Sequence, residues 1–226
     1  MTEHELKRRV VEELEFEPSL DAKAIRVGAS EGAVSLLGSV DSLVEKVTAE
    51  RVAKGVRDVQ TVINELDVRI PLAHRRSDAE LTEMVAHTLQ WNVLVPRDAV
   101  RARVANAWVE LGGTVDWQFQ RAAAEGAVQV LVGVRGISNR IAVKPRVRAA
   151  DIKTRIDTAL RRRADLAALD AREIAVQAED GKVVLRGQVH SWADRALVEA
   201  AAWAAPGVTT VEDELVVVAD EPTLGL

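Results

Sequence analysis

Apolar residues along this chain follow two alternating rhythms, and the whole pattern comes round three times. Leu6, Val10 and Leu14 sit at i, i+4 and i+8, as do Leu81, Val85 and Leu89, and Ile152, Ile156 and Leu160. That spacing draws one apolar stripe down a helix of 3.6 residues per turn. Ser77 or Asp78 can cap the second of these helices, with Glu80 in its first turn, and Asp151 stands at the start of the third. Pro18 and Pro96 follow the first two helices and favour a stop there. After each helix the period drops to two. Ile25 and Val27, then Val100, Ala102 and Val104, then Ile174 and Val176 each predict a short strand. A turn follows, clearest at Glu179-Asp180-Gly181, where Asp-Gly favours a tight hairpin. A second strand carries Val34 and Leu36, Val109 and Leu111, and Val183 or Val184 with Leu185.

The second strands end at a shared glycine, Gly38, Gly113 or Gly187, which predicts a bulge or the close approach of a helix. A second helix is expected over about 41–56, 116–131 and 191–205. Its core stripe is Ala49, Val52, Ala53 and Val56 in the first copy, Ala124, Ala127, Val128 and Leu131 in the second, and Val198, Ala201, Ala202 and Ala205 in the third. A third strand closes each unit and ends near Leu66, Ile141 or Leu215, always 28 positions after the shared glycine. Two strands joined through a helix should be parallel. The predicted fold is α+β, an α/β two-layer sandwich written three times. Each module is helix-strand-strand-helix-strand, a three-stranded mixed sheet with two helices on one face.

The units are 1–70, 77–145 and 148–219, with 220–226 as a flexible tail. A unit of about 70 residues buries only about 60% of its chain surface and is marginal alone, so packing between units or onto a partner is expected. The links, Pro71 to Arg76 and Lys144 to Arg148, are short and basic. The third unit has three more residues between Ile152 and Gly187 than the others have over the same interval, an extra helical turn or a longer loop.

Charge is distributed unevenly. Residues 1–70 carry ten Lys/Arg against fourteen Asp/Glu, residues 71–150 eleven against seven, and residues 151–226 nine against fourteen. A basic middle unit between acidic neighbours can bind a polyanion, or simply attract its neighbours. With no cysteine there is no disulfide framework and no thiol nucleophile. His4, His74, His87 and His190 are scattered and form no metal-ligand spacing. There is no phosphate loop, nucleophile elbow or dinucleotide fingerprint, and no recurring carboxylate pair for acid–base work. The chain reads as a binding protein rather than an enzyme. Residues Met1 to Arg9 show no apolar core of signal-peptide length and no cleavage pattern, and no run approaches the roughly 18–20 apolar residues of a membrane span. As written the expectation is cytoplasmic, or periplasmic if a signal has been removed.

The strand–glycine–valine segments, such as Gly187-Gln188-Val189, carry a family resemblance. So do the closing segments Gly207-Val208 with Val211, Asp213 and Leu215, and Gly133-Val134 with Ile137, Asn139 and Ile141. The pattern resembles the BON domain, named for bacterial osmotically inducible and nodulation proteins. The first copy departs by having Asp58 where the others have Gly133 and Gly207. The resemblance implies a non-enzymatic module linked to osmotic or envelope stress, associating with anionic phospholipid surfaces or with proteins. It also implies, as another alternative, a cytoplasmic potassium or small-solute binder; no other cofactor is expected.

Two sets of residues are candidates for contact with a partner. Trp192 and Trp203, eleven apart on the last helix, share a face about 120–140° from Val198. Large aromatics away from the core need a second apolar surface, in a membrane interface, a protein partner, a sister unit or a second protomer. Trp117 lies on the core stripe and is expected to be buried. The helix bearing Trp192 carries Asp194 and Glu199 against Arg195, so lipid held by charge would sit on the middle unit, through Arg101, Arg103, Arg140, Lys144, Arg146 and Arg148. Nucleic acid is not expected, because the chain is acidic overall and lacks a recognition motif. A protein-interaction or self-assembly scaffold, including a homo-oligomer, stands beside the lipid reading.

Overall fold

The computed structural model of the chain describes residues 2–144, 150–163, 174–179 and 181–218. The first repeat contains α1 (Glu3–Phe16), β1 (Ile25–Ser30), β2 (Ala33–Val40), α2 (Leu43–Gly55) and β3 (Thr61–Val68). The second contains α3 (Asp78–Trp91), β4 (Val100–Ala105), β5 (Trp108–Val115), α4 (Gln118–Gln129) and β6 (Gly136–Val143). The third contains α5 (Ala150–Arg163), β7 (Ala175–Glu179), β8 (Lys182–Val189), α6 (Trp192–Trp203) and β9 (Thr210–Val217). Each repeat has its own three-stranded sheet, ordered as in the chain, with the first pair antiparallel and the second parallel.

Local chemistry sets the helix ends. Thr2, Ser42, Ser77 and Ser191 each accept a backbone N–H from the first turn of the helix they precede. Ser77 does so in a full capping box with Glu80, whose carboxyl is held below its ordinary value by hydrogen bonds from Ser77. α1 stops before Pro18 because the residue preceding a proline is pushed to extended geometry, as Glu17 is. α3 stops earlier than Pro96 would require. Asn92 is its extended C-cap, and the Asn92 amide oxygen accepts the Leu94 N–H at 2.9 Å. The second helices begin one or two residues later than the expected spans. α5 ends three residues past Leu160, and the rest of the insertion in the third repeat lies outside the described residues.

Burial follows the two periods closely. Leu6, Val10, Leu14 and their counterparts in α3 and α5 are buried, as are Val34 and Leu36, Val109 and Leu111, and Val183 and Leu185. Small residues on the second helices, Ala49 and Ala53, Ala124 and Val128, Ala201 and Ala202, are buried and let each helix lie close on its sheet. Each repeat forms a separate apolar cluster.

The shared glycine lies inside the second strand, not at its end. Gly38, Gly113 and Gly187 have φ of 124°, 126° and 139°. A Cβ at Gly38 would overlap the carbonyl oxygen of Ala24, and one at Gly113 that of Ala99. In the first two repeats the close neighbour is therefore the backbone entering the first strand, not a helix. The turn after the second helix uses Gly133 and Gly207 at φ 96° and 93°, and Asp58 takes the same left-handed conformation at φ 68°. The substitution preserves the turn.

The Asn/Asp of the closing segment has a structural role. Asn64 Nδ2 donates to the Lys46 carbonyl at 2.9 Å, and its Oδ1 accepts the Leu66 N–H at 3.2 Å, pinning α2 to β3. Asn139 repeats this with Arg121 and Ile141. In the third repeat an ion pair replaces the amide, with Arg195 Nε 2.7 Å from Asp213.

Candidate functional site

Side chains alternate across a strand, so residues between the core positions of β4, β5 and β6 form the outer face of the second sheet. Arg101, Gly112 and Arg140 occupy one row across it, and Arg103, Glu110 and Ser138 the next. Arg101, Arg103 and Arg140 are exposed. Gly112 contributes no side chain, and a Cβ there would meet nothing within 4 Å, so the row has an open floor between its two arginines. Arg140 lies 3.5 Å from Glu110 and Lys144 lies 4.0 Å from Asp116; exposed pairs of this kind are worth little. Arg101 and Arg103 enter no ion pair among the described residues. Arg146 and Arg148 lie outside them.

A tryptophan completes this face. Trp108, 48% exposed, stands in the row beyond Arg103. Its ring covers Gly136, where any Cβ would collide with it, and its N–H donates to Ser138 Oγ at 3.0 Å. The sequence marked Trp108 only as the start of a strand. The period-two pattern was the available signal, because it places Trp108 opposite in phase to buried Val109 and in phase with Glu110 and Gly112.

Among the described residues the other two sheets do not present such a face. On the third, Lys182 pairs with Glu212 at 2.7 Å and Arg186 with Glu214 at 2.6 Å. The Arg186 hydrogen bonds hold the Glu214 carboxyl below its ordinary value and push the guanidinium up. The first presents Leu37 and Ile63, 37% and 49% exposed.

Trp192 and Trp203 open and close α6 and are both half-buried at the edge of the third core, but their polar partners differ. The Trp192 indole N–H donates to the Val59 carbonyl of the first repeat at 3.1 Å. Two cations stand over its ring, Lys54 Nζ at 4.6 Å and the Arg195 guanidinium at 5.0 Å from the centroid. Lys54 is also held by Glu50 at 2.6 Å. Burial pushes the Glu50 carboxyl up, but hydrogen bonds from Lys54 and Asn64 outweigh it, leaving the group below its ordinary value. A cleft of about 390 Å³ beside Trp192 is lined from both repeats, by Lys54, Arg57 and Asp58 on one side and His190 and Val218 on the other. Trp203 instead donates to Glu199 of its own helix at 3.2 Å. Trp117 is not on the buried stripe of α4; it is the half-buried N-cap residue.

The first repeat also touches the second. Arg135 Nη2 lies 3.0 Å from Asp67, and Leu43 packs against the second core. The acidic first unit and basic second unit thus meet through a cross-repeat ion pair. The four histidines are exposed and lie on separate segments. Among the described residues no group of three or more His, Cys, Asp or Glu gathers as a metal site, and no helix is long and apolar enough to cross a membrane.

Comparison with known proteins matches the BON domain at residues 2–70, 77–145 and 148–219. Osmotically-inducible protein Y of Escherichia coli (strain K12) is 31% identical over 124 residues, which are 53% of this chain and 62% of that protein. The match thus spans less than two thirds of that relative's length. Among solved structures, CdsD, a structural protein of the type III secretion system of Chlamydia trachomatis, is similar at 13% identity, covering 96% of this chain and 94% of that one with a TM-score of 0.27. Its C-terminal domain gives 12% identity over 96% of this chain and all of that one, with a TM-score of 0.26.

Proposed function

This chain belongs to the BON domain family, and from that premise we propose that it is a non-enzymatic module of the osmotic or envelope stress response that binds anionic phospholipid surfaces through the outer face of its second sheet. The observation that carries the reading is the gathering of Arg101, Arg103, Arg140 and half-exposed Trp108 on one sheet face. Arginines on a flat face reach a flat anionic surface together. Each is worth on the order of 1 kcal/mol near such a surface, so three give weak attachment that salt screens. Trp108 offers an indole suited to the headgroup level. Trp192 is already committed to the first repeat, which withdraws it from a lipid surface.

The test is liposome flotation with and without anionic lipid, at low and high salt. The expected result is flotation only with anionic lipid, lost at high salt, and lost at low salt in Arg101→Glu with Arg140→Glu. Absence of binding at every salt concentration would remove the proposal.

A second reading, a protein-interaction scaffold, is favoured by Leu37 and Ile63, diagonal neighbours exposed on the outer face of the first sheet. Light scattering across a concentration series tests it. Self-association abolished by Leu37→Ser supports it, and a monomer at every concentration, with no partner affected by Leu37→Ser, opposes it.

A further inference from the structure

The middle repeat differs from the first at two facing positions. Ala86 on α3 stands where α1 has Val11, and Ala102 on β4 where β1 has Val27. Val27 is buried and Val11 packs against the first core. With both shortened to alanine, the second repeat carries a groove of about 620 Å³ between α3 and β4, lined by Ala86, Leu89, Val95, Val100 and Ala102. Arg97 also lines it. The third repeat does not repeat the pair; Asp157 and Val176 occupy those places.

Among the described residues β4 is an edge strand, with β5 on one side only. The bond from the Thr114 N–H to the Ala99 carbonyl, at 3.1 Å, sets the phase of the pairing. Arg101 and Arg103 exchange hydrogen bonds with β5, while Val100, Ala102 and Val104 turn N–H and C=O toward the open edge. Such an edge is a template for one more strand. Alternate side chains of an added strand would then fall into two sets. Those beside Val100, Ala102 and Val104 would lie under α3, in the groove. Those beside Arg101 and Arg103 would lie on the outer face, where these two exposed guanidinium groups enter no ion pair among the described residues.

We propose that the open edge of β4 binds an extended segment of a partner protein in which acidic residues alternate with small apolar ones. The acidic set meets Arg101 and Arg103, and the small set fills the space left by Ala86 and Ala102. The row of edge N–H and C=O groups selects a peptide backbone, because an acyl chain would leave that row unpaired. A second copy of β4 is disfavoured, because arginine would oppose arginine.

The experiment is fluorescence anisotropy of a short labelled probe peptide of alternating glutamate and valine, titrated with the full chain. The Glu–Val probe should bind, and probes with lysine for glutamate, or N-methylated on the amides facing β4, should not. Ala86→Val with Ala102→Val should weaken the Glu–Val probe by at least about tenfold. These valines reproduce the packing of the first repeat, and circular dichroism checks that the fold is kept. Arg101→Glu with Arg103→Glu should reject the Glu–Val probe and accept the lysine probe. Binding unaffected by N-methylation or by the valine pair, or no binding at all, would overturn the proposal. Light scattering that shows the edge closed by a second copy would overturn it too. The valine pair should leave vesicle flotation unchanged, so failure here and failure of the lipid reading are separately visible.

Discussion

The indole N–H of Trp192 donates to the main-chain carbonyl of Val59 at 3.1 Å, joining the third repeat directly to the first, with the second between them only in sequence. Lys54, from the same segment of the first repeat, stands over the indole ring. The contact combines a hydrogen bond, a cation–π pair and apolar area. Trp192→Ala should therefore weaken the docking of the third repeat by on the order of 2 kcal/mol. Small-angle scattering should show an expanded chain with unchanged secondary structure. Trp203→Ala, whose N–H partner Glu199 lies in its own helix, should leave the overall dimensions as they are.

Gly112 and Gly113 are neighbours with opposite demands. A Cβ at Gly113 would overlap the Ala99 carbonyl at a backbone φ of 126°, whereas one at Gly112 meets open space. Gly113→Ala should cost more than about 3 kcal/mol and unfold the second repeat first. Gly112→Ala should be neutral or stabilising by about 0.5 kcal/mol. Urea denaturation followed by circular dichroism distinguishes the two.

The β4–β5 hairpin turns through Asn106 and Ala107, both at positive φ, where alanine is strained. Asp78, at the start of α3, accepts both of their N–H groups at 2.8 and 2.9 Å. Asp78→Ala should cost about 1–2 kcal/mol. Ala107→Gly should gain about 1 kcal/mol by relieving the left-handed conformation. Melting temperatures of both variants check this. Asp78 was legible in the sequence as a possible helix cap, but Ser77 takes that role and Asp78 clamps the turn.

Acid should loosen the tie between the first two repeats. Arg135 beside Asp67, with Arg69 adding to it, holds the Asp67 carboxyl below its ordinary value. A carboxyl depressed on folding contributes stability that is complete above its unfolded value and is lost as pH falls through the folded one. Glu17 shifts the same way, mainly through Ser19, and Glu214 through Arg186. The melting temperature should rise as pH climbs through the acidic range and level off once it passes the ordinary carboxylate values. Asp67→Asn should remove part of that slope. A slope unchanged by the substitution would count against the cross-repeat ion pair.

By itself the sequence determined the threefold repeat, the order of elements, the helix stripes and the alternation that separates core from outer face. These depend on contacts made inside about seventy residues, where a period of 3.6 or 2 chooses which side chains leave water. Tertiary structure alone decided which residues meet on each outer face. Arg101 and Arg140 become row-mates at Gly112 only through strand pairing, and Trp108 joins them only once the sheet exists. Trp192 and Trp203 looked equivalent by helical angle. The placement of the first repeat against α6 commits one of them to Val59 and leaves the other with Glu199. No local period encodes that choice, because it depends on how whole modules are set against one another.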